Sequence, residues 1–241
     1  MGSFFNVILL RLDRKGGILT GRSECPKCSA QLKWYDLIPV FSYLYLRGNC
    51  RYCKAEISII YPLVELTTGL SIVALFWING LTINPDIIYQ LFIISLFLFL
   101  IFFDALYLIL PDKIIFPAIV IAFLFDVIFR KPELFNLILS GFLFGLAFGI
   151  IYVVSRGLWM GFGDVKLVFA IGLILGYPLG LFAIISATWV AALWGIVLVL
   201  LKKANLKTAL PFGSFLSATT IIFVIFKDII SEKIYFFQYF L

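Results

Sequence analysis

Two aspartates, Asp104 and Asp164, stand at the edges of long apolar runs and are the residues of this sequence best suited to chemistry. Asp164 follows two glycines in the stretch Gly161-Phe162-Gly163-Asp164-Val165-Lys166. A carboxylate at membrane depth costs about 2.5–3.5 kcal/mol at a helix centre, so its presence there indicates function. Two carboxylates that share one proton can activate a water and protonate a leaving amine, and this chemistry uses no histidine. The simpler alternative for Asp164 is a cap on the helix that follows it.

Three other acidic residues have weaker claims. Asp126 lies near the outer end of its apolar run, where it can reach the interface, so we expect it to be structural. Asp112 is the rival to Asp104 for the catalytic role, but it follows Pro111 in a loop and is more typical of a solvated loop carboxylate or a helix cap. Glu65 lies deeper in its run and could pair with a cation, bind substrate or position the neighbouring polar segment. The sequence leaves these three roles for Glu65 open.

All four cysteines lie in two C-x-x-C pairs, Cys25 with Cys28 and Cys50 with Cys53, separated by 21 residues. This pattern predicts one tetrahedral zinc site with four thiolate ligands. The alternatives are two disulfides or reduced thiols without a metal. The surrounding segment, residues 11–56, carries nine cationic residues and should face the cytoplasm, where thiols stay reduced.

The composition indicates a membrane protein. The 241 residues are 63% hydrophobic and only 13% charged, with a mean hydropathy of +1.11, whereas soluble domains are about 25% charged. The sequence contains no histidine, which excludes Ser-His-Asp nucleophiles and histidine-ligated zinc hydrolase motifs.

Apolar runs predict an all-α polytopic fold with about seven transmembrane helices and a small cytoplasmic four-cysteine domain. The runs are Ile57 to Ile78, Ile87 to Phe103, Ile114 to Phe129, Leu134 to Val154, Val165 to Leu175, Leu179 to Leu201 and Leu210 to Phe226. If the chain alternates sides from a cytoplasmic residue 11–56 segment, 15 of the 19 Lys and Arg residues face the cytoplasm. This topology brings Asp104 and Asp164 to the cytoplasmic ends of their helices.

Taken together, the motifs resemble those of the type IV prepilin peptidases, bifunctional leader peptidases and N-methyltransferases of the GxGD aspartyl protease class. The similarity covers nearly the whole sequence. The matching blocks are Gly2-Ser3-Phe4-Phe5-Asn6-Val7 through Arg11-Leu12, the two C-x-x-C pairs with Trp34-Tyr35-Asp36-Leu37-Ile38-Pro39 between them, Tyr61-Pro62-Leu63-Val64-Glu65-Leu66, Asp104 with Leu110-Pro111-Asp112, Gly161-x-Gly163-Asp164-Val165-Lys166, and Pro211-Phe212-Gly213.

The resemblance implies that Asp104 and Asp164 are the catalytic pair of a bacterial inner-membrane enzyme with its site facing the cytoplasm. Such an enzyme removes the basic leader of prepilin or pseudopilin substrates and methylates the new N-terminus with S-adenosylmethionine. We expect no nucleic-acid partner. The expected supporting residues are Gly161, Gly163, Lys166, Glu65 and Asp112. The implied domains are the end of a first membrane segment (1–10), the zinc-binding domain (11–56) and a transmembrane aspartyl protease domain (57–241).

Two departures from the family pattern stand out. In the family, Gly-Ser-Phe lies at the end of a first membrane helix, so the resemblance implies either that the sequence is truncated and lacks this helix or that its start site is internal. Ser214 stands where the family usually has proline after Pro-Phe-Gly, and we expect that exchange to leave the chemistry unchanged.

The sequence also allows two other classes of protein, a zinc-ribbon membrane adaptor and a proton-coupled transporter. Within the enzyme hypothesis, we expect Asp104 to hold the shared proton, because it would end a helix near unpaired carbonyl groups. Asp164 would then be the base, near a helix N-terminus.

Overall fold

Helices dominate the computed structural model, which describes residues 23–205 and 208–239. The described residues form nine α-helices: α1 (Phe41–Tyr45), α2 (Ile60–Asn79), α3 (Pro85–Tyr107), α4 (Asp112–Phe129), α5 (Leu134–Val154), α6 (Phe162–Leu175), α7 (Leu179–Leu200), α8 (Phe212–Ile225) and α9 (Lys227–Tyr239). Each of the seven predicted apolar runs contains one helix, from α2 to α8. The predicted segment 1–10, and the part of the zinc-binding segment before residue 23, lie outside the described residues.

Four helices, α2, α3, α5 and α7, are long and apolar enough to cross a membrane. A fifth span is possible if α8 and the start of α9, which meet at an angle of 81°, are taken as one bent segment. Helices α6 and α8 have 14 residues each, or about 21 Å, against a hydrocarbon core of about 30 Å. The structure therefore supports an all-helical multi-span fold but does not confirm the predicted count of seven.

The chain divides into two compact units, residues 1–76 and 77–241. In the first unit, each C-x-x-C pair lies in a tight turn of the same design. The Cys25 N–H donates to the Ala30 carbonyl at 3.0 Å, and the Cys50 N–H donates to the Ala55 carbonyl at 2.8 Å. A short 3-10 helix, Trp34–Leu37, lies between the two turns in sequence. Its Asp36 carboxylate forms an ion pair of 2.7 Å with Arg51, which ties this helix to the second turn.

In the second unit, α6 is the central element and packs against α4, α5, α7 and α8. Its contact with α5 is the most extensive and depends on glycines. A Cβ placed on Gly172 would lie only 2.5 Å from the Gly141 Cα, so the two backbones touch directly. Close approach through small residues is a common way to pack helices in a membrane, where the hydrophobic effect does not drive helices together.

Arg130 joins three helices at one end of the second unit. Its guanidinium donates to the Ile174 carbonyl at the end of α6 (3.2 Å) and lies 3.7 Å from Asp126 of α4 and 3.9 Å from Asp86 of α3. It also stacks over the rings of Tyr89 and Phe125. Asp126 is 1% exposed, so it is buried against Arg130 rather than reaching an interface.

Candidate active site

Asp104 lies in the last turn of α3 and is 5% exposed. The helix continues past it to Tyr107, and the Asp104 carbonyl accepts a hydrogen bond from the Leu108 N–H at 2.8 Å. Asp104 therefore lies within the last turn of the helix rather than at its end, and its own carbonyl is paired. This weakens the argument that Asp104 holds the shared proton because of unpaired carbonyl groups.

The Asp104 carboxylate instead meets the N-terminus of α8. Its Oδ2 atom accepts hydrogen bonds from both the backbone N–H (2.6 Å) and the hydroxyl (3.0 Å) of Ser214. Gly213 permits this approach, because a Cβ there would lie 3.1 Å from the same Oδ2. Sequence reasoning did not predict this contact, although Pro211-Phe212-Gly213-Ser214 is a recognisable helix start.

Asp164 is the third residue of α6, where Gly161 is the N-cap. Its Oδ2 accepts the Gly161 N–H at 3.2 Å, so the side chain closes the first turn of its own helix. It is 9% exposed. The capping role expected as the simpler alternative is thus present, and it holds the carboxylate in a fixed orientation at the helix N-terminus.

The two aspartates lie at the same end of the second unit, where Leu110 lies close to a glycine beside each of them. Leu110 fills the space between their supporting loops. A Cβ on Gly163 would lie 2.9 Å from the Leu110 Cβ, and a Cβ on Gly213 would lie 2.9 Å from its Cδ1. One side chain therefore sets the spacing between the glycine that precedes Asp164 and the glycine that lies against Asp104.

Lys166 and Asp112 form an ion pair that joins α6 to the first residue of α4. The Lys166 ammonium also lies over the rings of Phe116 (5.5 Å) and Phe162 (5.2 Å). Asp112 is therefore a solvent-exposed carboxylate that is paired with Lys166. Gly161, Gly163, Lys166 and Asp112 all lie at the same end of the unit as the aspartate pair.

Glu65 belongs to the first unit and does not take part in this cluster. Its Oε2 accepts the backbone N–H of Val40 at 2.9 Å. Val40 precedes α1 with a φ of 61°, a conformation that is unusual for a β-branched residue. Of the three roles left open for Glu65, this contact favours positioning of the polar segment.

The four cysteines are not joined by disulfides. Their sulfur atoms all lie within 4.8 Å of one another, and the Cys25 and Cys53 sulfurs are 3.8 Å apart. A tetrahedral zinc ion with Zn–S bonds of about 2.3 Å holds its sulfurs about 3.8 Å apart, so the cluster has the right size for the metal. The backbone N–H groups of Cys28 and Lys27 lower the pKa of the Cys25 thiol to about 6, which favours the thiolate that a metal binds.

Comparison with known proteins gives matches along both units. Residues 1–79 match the bacterial peptidase A24 N-terminal domain, and residues 91–196 match the type IV leader peptidase family. A Vibrio cholerae protein named prepilin leader peptidase/N-methyltransferase is 34% identical over 192 residues, which cover 73% of this chain and 74% of that protein.

Two other relatives carry the same name. The one from Klebsiella pneumoniae is 35% identical over 188 residues, covering 73% of this chain and 81% of the relative. The one from Aeromonas hydrophila is 30% identical over 262 residues, covering 96% of this chain and 89% of the relative. No solved structure gives a significant match.

Proposed function

The chain belongs to the type IV leader peptidase family, and from that premise we propose that it removes the leader of prepilin-like proteins and methylates the new N-terminus. Its relatives are named for both activities. The observation that carries the proposal for this chain's own residues is the pair of buried carboxylates, Asp104 and Asp164, held at one end of the helical unit. A zinc-ribbon adaptor gives no reason for this pair, and a proton-coupled transporter favours carboxylates near the membrane midplane rather than at one end of the helices.

We assign peptide cleavage to Asp104 and Asp164. Two close, buried carboxylates disfavour double ionisation and share one proton. The ionised partner takes a proton from a water molecule, whose oxygen attacks the scissile carbonyl carbon. The protonated partner donates to the carbonyl oxygen as the tetrahedral intermediate forms. When the C–N bond breaks, one member of the pair protonates the leaving amine, while the other takes a proton from a hydroxyl of the intermediate, which becomes the new carboxyl group. The pair then again holds one proton.

Neighbouring residues fix the geometry of this pair. The Gly161 N–H orients Asp164, and Gly163 allows Leu110 to pack against the loop. The ion pair of Lys166 with Asp112 holds the start of α4 against α6 two residues after Asp164. We propose Gly161, Gly163, Lys166 and Asp112 as supporting residues of the aspartate pair. Glu65 supports the first unit instead.

We propose that Cys25, Cys28, Cys50 and Cys53 hold one structural zinc ion, which the size of the sulfur cluster supports. For the methyl transfer, S-adenosylmethionine is the implied donor. A cleft of about 400 Å³ beside Lys166 is lined mainly by apolar side chains such as Phe116, Phe142 and Phe169. That lining does not suit the charged amino acid portion of this cofactor, so we assign no residue to it.

The chain is a multi-pass membrane protein of this family. We further propose that it lies in the bacterial inner membrane, with residues 11–56 and the aspartate pair on the cytoplasmic side. In this arrangement residues 57–241 form the membrane domain, and α4, α6 and α8 complete seven crossings. The many buried residues of α6 and α8 support this, because short helices are acceptable where protein surrounds them.

The test is cleavage of a prepilin-like substrate by the purified protein. Asp104→Asn and Asp164→Asn should each lower cleavage at least about 1,000-fold, because both roles are needed in one cycle. Asp228→Asn, which changes an exposed carboxylate on α9, is the control and should cleave like the wild type. A folded Asp104→Asn or Asp164→Asn protein that cleaves at the wild-type rate would refute the assignment.

A further inference from the structure

We propose that Ser214 is a positioning residue that holds the Asp104 carboxylate and exchanges hydrogen bonds with it as the aspartate gains and loses its proton. This inference rests on the proposed catalytic role of Asp104. Ser214 is 9% exposed and sits 110 residues after Asp104 in the sequence, at the start of α8. Its hydrogen bonds to Asp104 join the N-terminus of α8 to the last turn of α3.

The backbone part of this contact comes from a helix N-terminus. Ser214 is the third residue of α8, and the first N–H groups of a helix have no partner four residues earlier. The Ser214 N–H lies 3.1 Å from the Pro211 carbonyl and 2.6 Å from Asp104 Oδ2, so the carboxylate has the shorter contact. The positive end of the helix dipole adds to this donor, and together they favour the ionised form of the carboxylate.

The hydroxyl part of the contact serves both protonation states. Ser214 Oγ lies 3.0 Å from Asp104 Oδ2 and 2.9 Å from the carbonyl of Ile101, one turn earlier on α3. A hydroxyl carries one hydrogen and can also accept. When Asp104 is ionised, the hydroxyl donates to Oδ2. When Asp104 is protonated, the hydroxyl can turn its hydrogen to the Ile101 carbonyl and accept from the carboxylic acid.

Both Ser214 contacts go to the same oxygen of Asp104. This leaves Oδ1 as the oxygen that we assign to the attacking water. A side chain that only donates could not accept the acid's hydrogen, and an alanine would leave the buried Oδ2 with the backbone donor alone. The hydroxyl is therefore suited to a carboxylate that must change protonation state in every cycle, which a purely structural cap would not require.

The experiment compares variants of the full-length protein in cleavage of a prepilin-like peptide across a range of pH. Ser214→Ala keeps the backbone donor and should lower kcat about tenfold, with KM changed less than about twofold. The acid side of its pH–rate profile should move to higher pH, because a donor to the ionised carboxylate is lost. Ser214→Thr keeps the hydroxyl and should retain both kcat and the profile.

Ser214→Gly also removes the hydroxyl and keeps the backbone N–H, so it should lower kcat and move the profile as Ser214→Ala does. This variant gives a second measurement if Ser214→Ala is poorly folded. The matched control is Ser217→Ala, one turn later on α8. Ser217 is 0% exposed, and among the described residues its hydroxyl has no hydrogen-bond partner.

The outcomes separate the two proposals. A wild-type protein without cleavage, or an active Asp104→Asn variant, would overturn the proposed function itself. An inactive Asp104→Asn variant together with Ser214→Ala and Ser214→Gly proteins that match the wild type in kcat and pH profile would overturn only the role of Ser214. Equal losses in Ser214→Ala and Ser217→Ala, with no movement of either profile, would also overturn it by showing a merely structural effect.

Discussion

The two glycines before Asp164 differ in what surrounds them. A Cβ on Gly163 would lie 2.9 Å from the Leu110 Cβ, which is too close for real atoms and lies near the backbone of Leu110. A Cβ on Gly161 would have its nearest neighbour at 3.8 Å, and the φ of Gly161 is −78°, which any residue can adopt. The requirement for glycine at position 163 therefore comes from packing against Leu110, whereas position 161 contributes its N–H to Asp164.

Exchange of these glycines for alanine should give different results. Gly163→Ala should lower kcat at least about tenfold, because a shift of about 1 Å in a catalytic group can cost 100-fold. Gly161→Ala keeps the backbone N–H and should retain most of the activity. Cleavage rates of both purified variants, normalised to folded protein, check this. A Gly161→Ala protein that is as impaired as Gly163→Ala would show that Leu110 does not set the geometry.

At the level of single residues, the sequence predicted the location of a side chain where its position along the chain alone determines that location. Asp104 and Asp164 could be placed at one end because alternating spans bring the ends of α3 and α6 together, and the structure places them there. The two C-x-x-C pairs likewise predicted the sulfur cluster from local spacing. The contact of Ser214 with Asp104 could not be predicted from the sequence, because it depends on how α8 packs against α3. The sequence also did not determine where α3 ends, since its last turn depends on the left-handed conformation of Leu108.

Among the elements, α6 carries the site and is held by direct backbone contact with α5. The Gly172 position has no room for a side chain, since a Cβ would lie 2.5 Å and 2.6 Å from two backbone atoms of Gly141. Backbone atoms cannot move aside as a flexible side chain can. A larger residue must therefore push α6 away from α5, and Asp164 moves with it.

Gly172→Ala should consequently destabilise the protein by about 1–3 kcal/mol, as overpacking does, and lower cleavage although it lies two turns from Asp164. Gly69→Ala, in the middle of α2 with nothing within 4 Å of its added Cβ, is the control. Thermal unfolding of the two variants in the same detergent makes the comparison. A Gly172→Ala protein as stable as Gly69→Ala would contradict the close α5–α6 contact.

Arg130 provides a second test of how the helices hold together. Its side chain is 10% exposed and its partner Asp126 is 1% exposed, so loss of the guanidinium leaves a buried carboxylate without its ion-pair partner. Arg130→Gln should destabilise the second unit by about 3–5 kcal/mol. The double variant Arg130→Gln with Asp126→Asn removes the unpaired charge and should recover part of that loss. Additive losses in the double variant would show that the two side chains do not interact.

Helix identity was easier to predict than helix length. All seven apolar runs became helices because uninterrupted apolar sequence at this hydropathy leaves few alternatives in a bilayer. The lengths differ because local residues set them. Gly176, with a φ of 65°, ends α6 after 14 residues, and Pro211 sets the late start of α8. Whether such short helices cross depends on neighbouring protein, which a hydropathy pattern does not contain.

At the scale of the whole molecule, the chain divides its chemistry between two units. The four cysteines lie in the first unit, and both aspartates lie in the second. Each C-x-x-C turn is closed by its own backbone hydrogen bonds, while the proposed cleavage uses only carboxylates and water. Loss of metal binding at the sulfur cluster should therefore leave the chemistry of cleavage intact, and loss of cleavage at the aspartate pair should leave metal binding intact.

The last prediction concerns this independence. Binding of a structural zinc ion is coupled to folding of its domain, so the double variant Cys25→Ser with Cys28→Ser should lose the metal and expose the first unit to proteolysis. Its methyl transfer should fall more than its cleavage, because the metal takes no part in the proposed hydrolysis.

Asp104→Asn should give the opposite result, a protein that retains one zinc ion and does not cleave. Metal analysis, limited proteolysis and separate assays of cleavage and methylation of one substrate measure all four quantities. A folded cysteine variant that binds substrate normally but has lost all cleavage would show that the two units act as one.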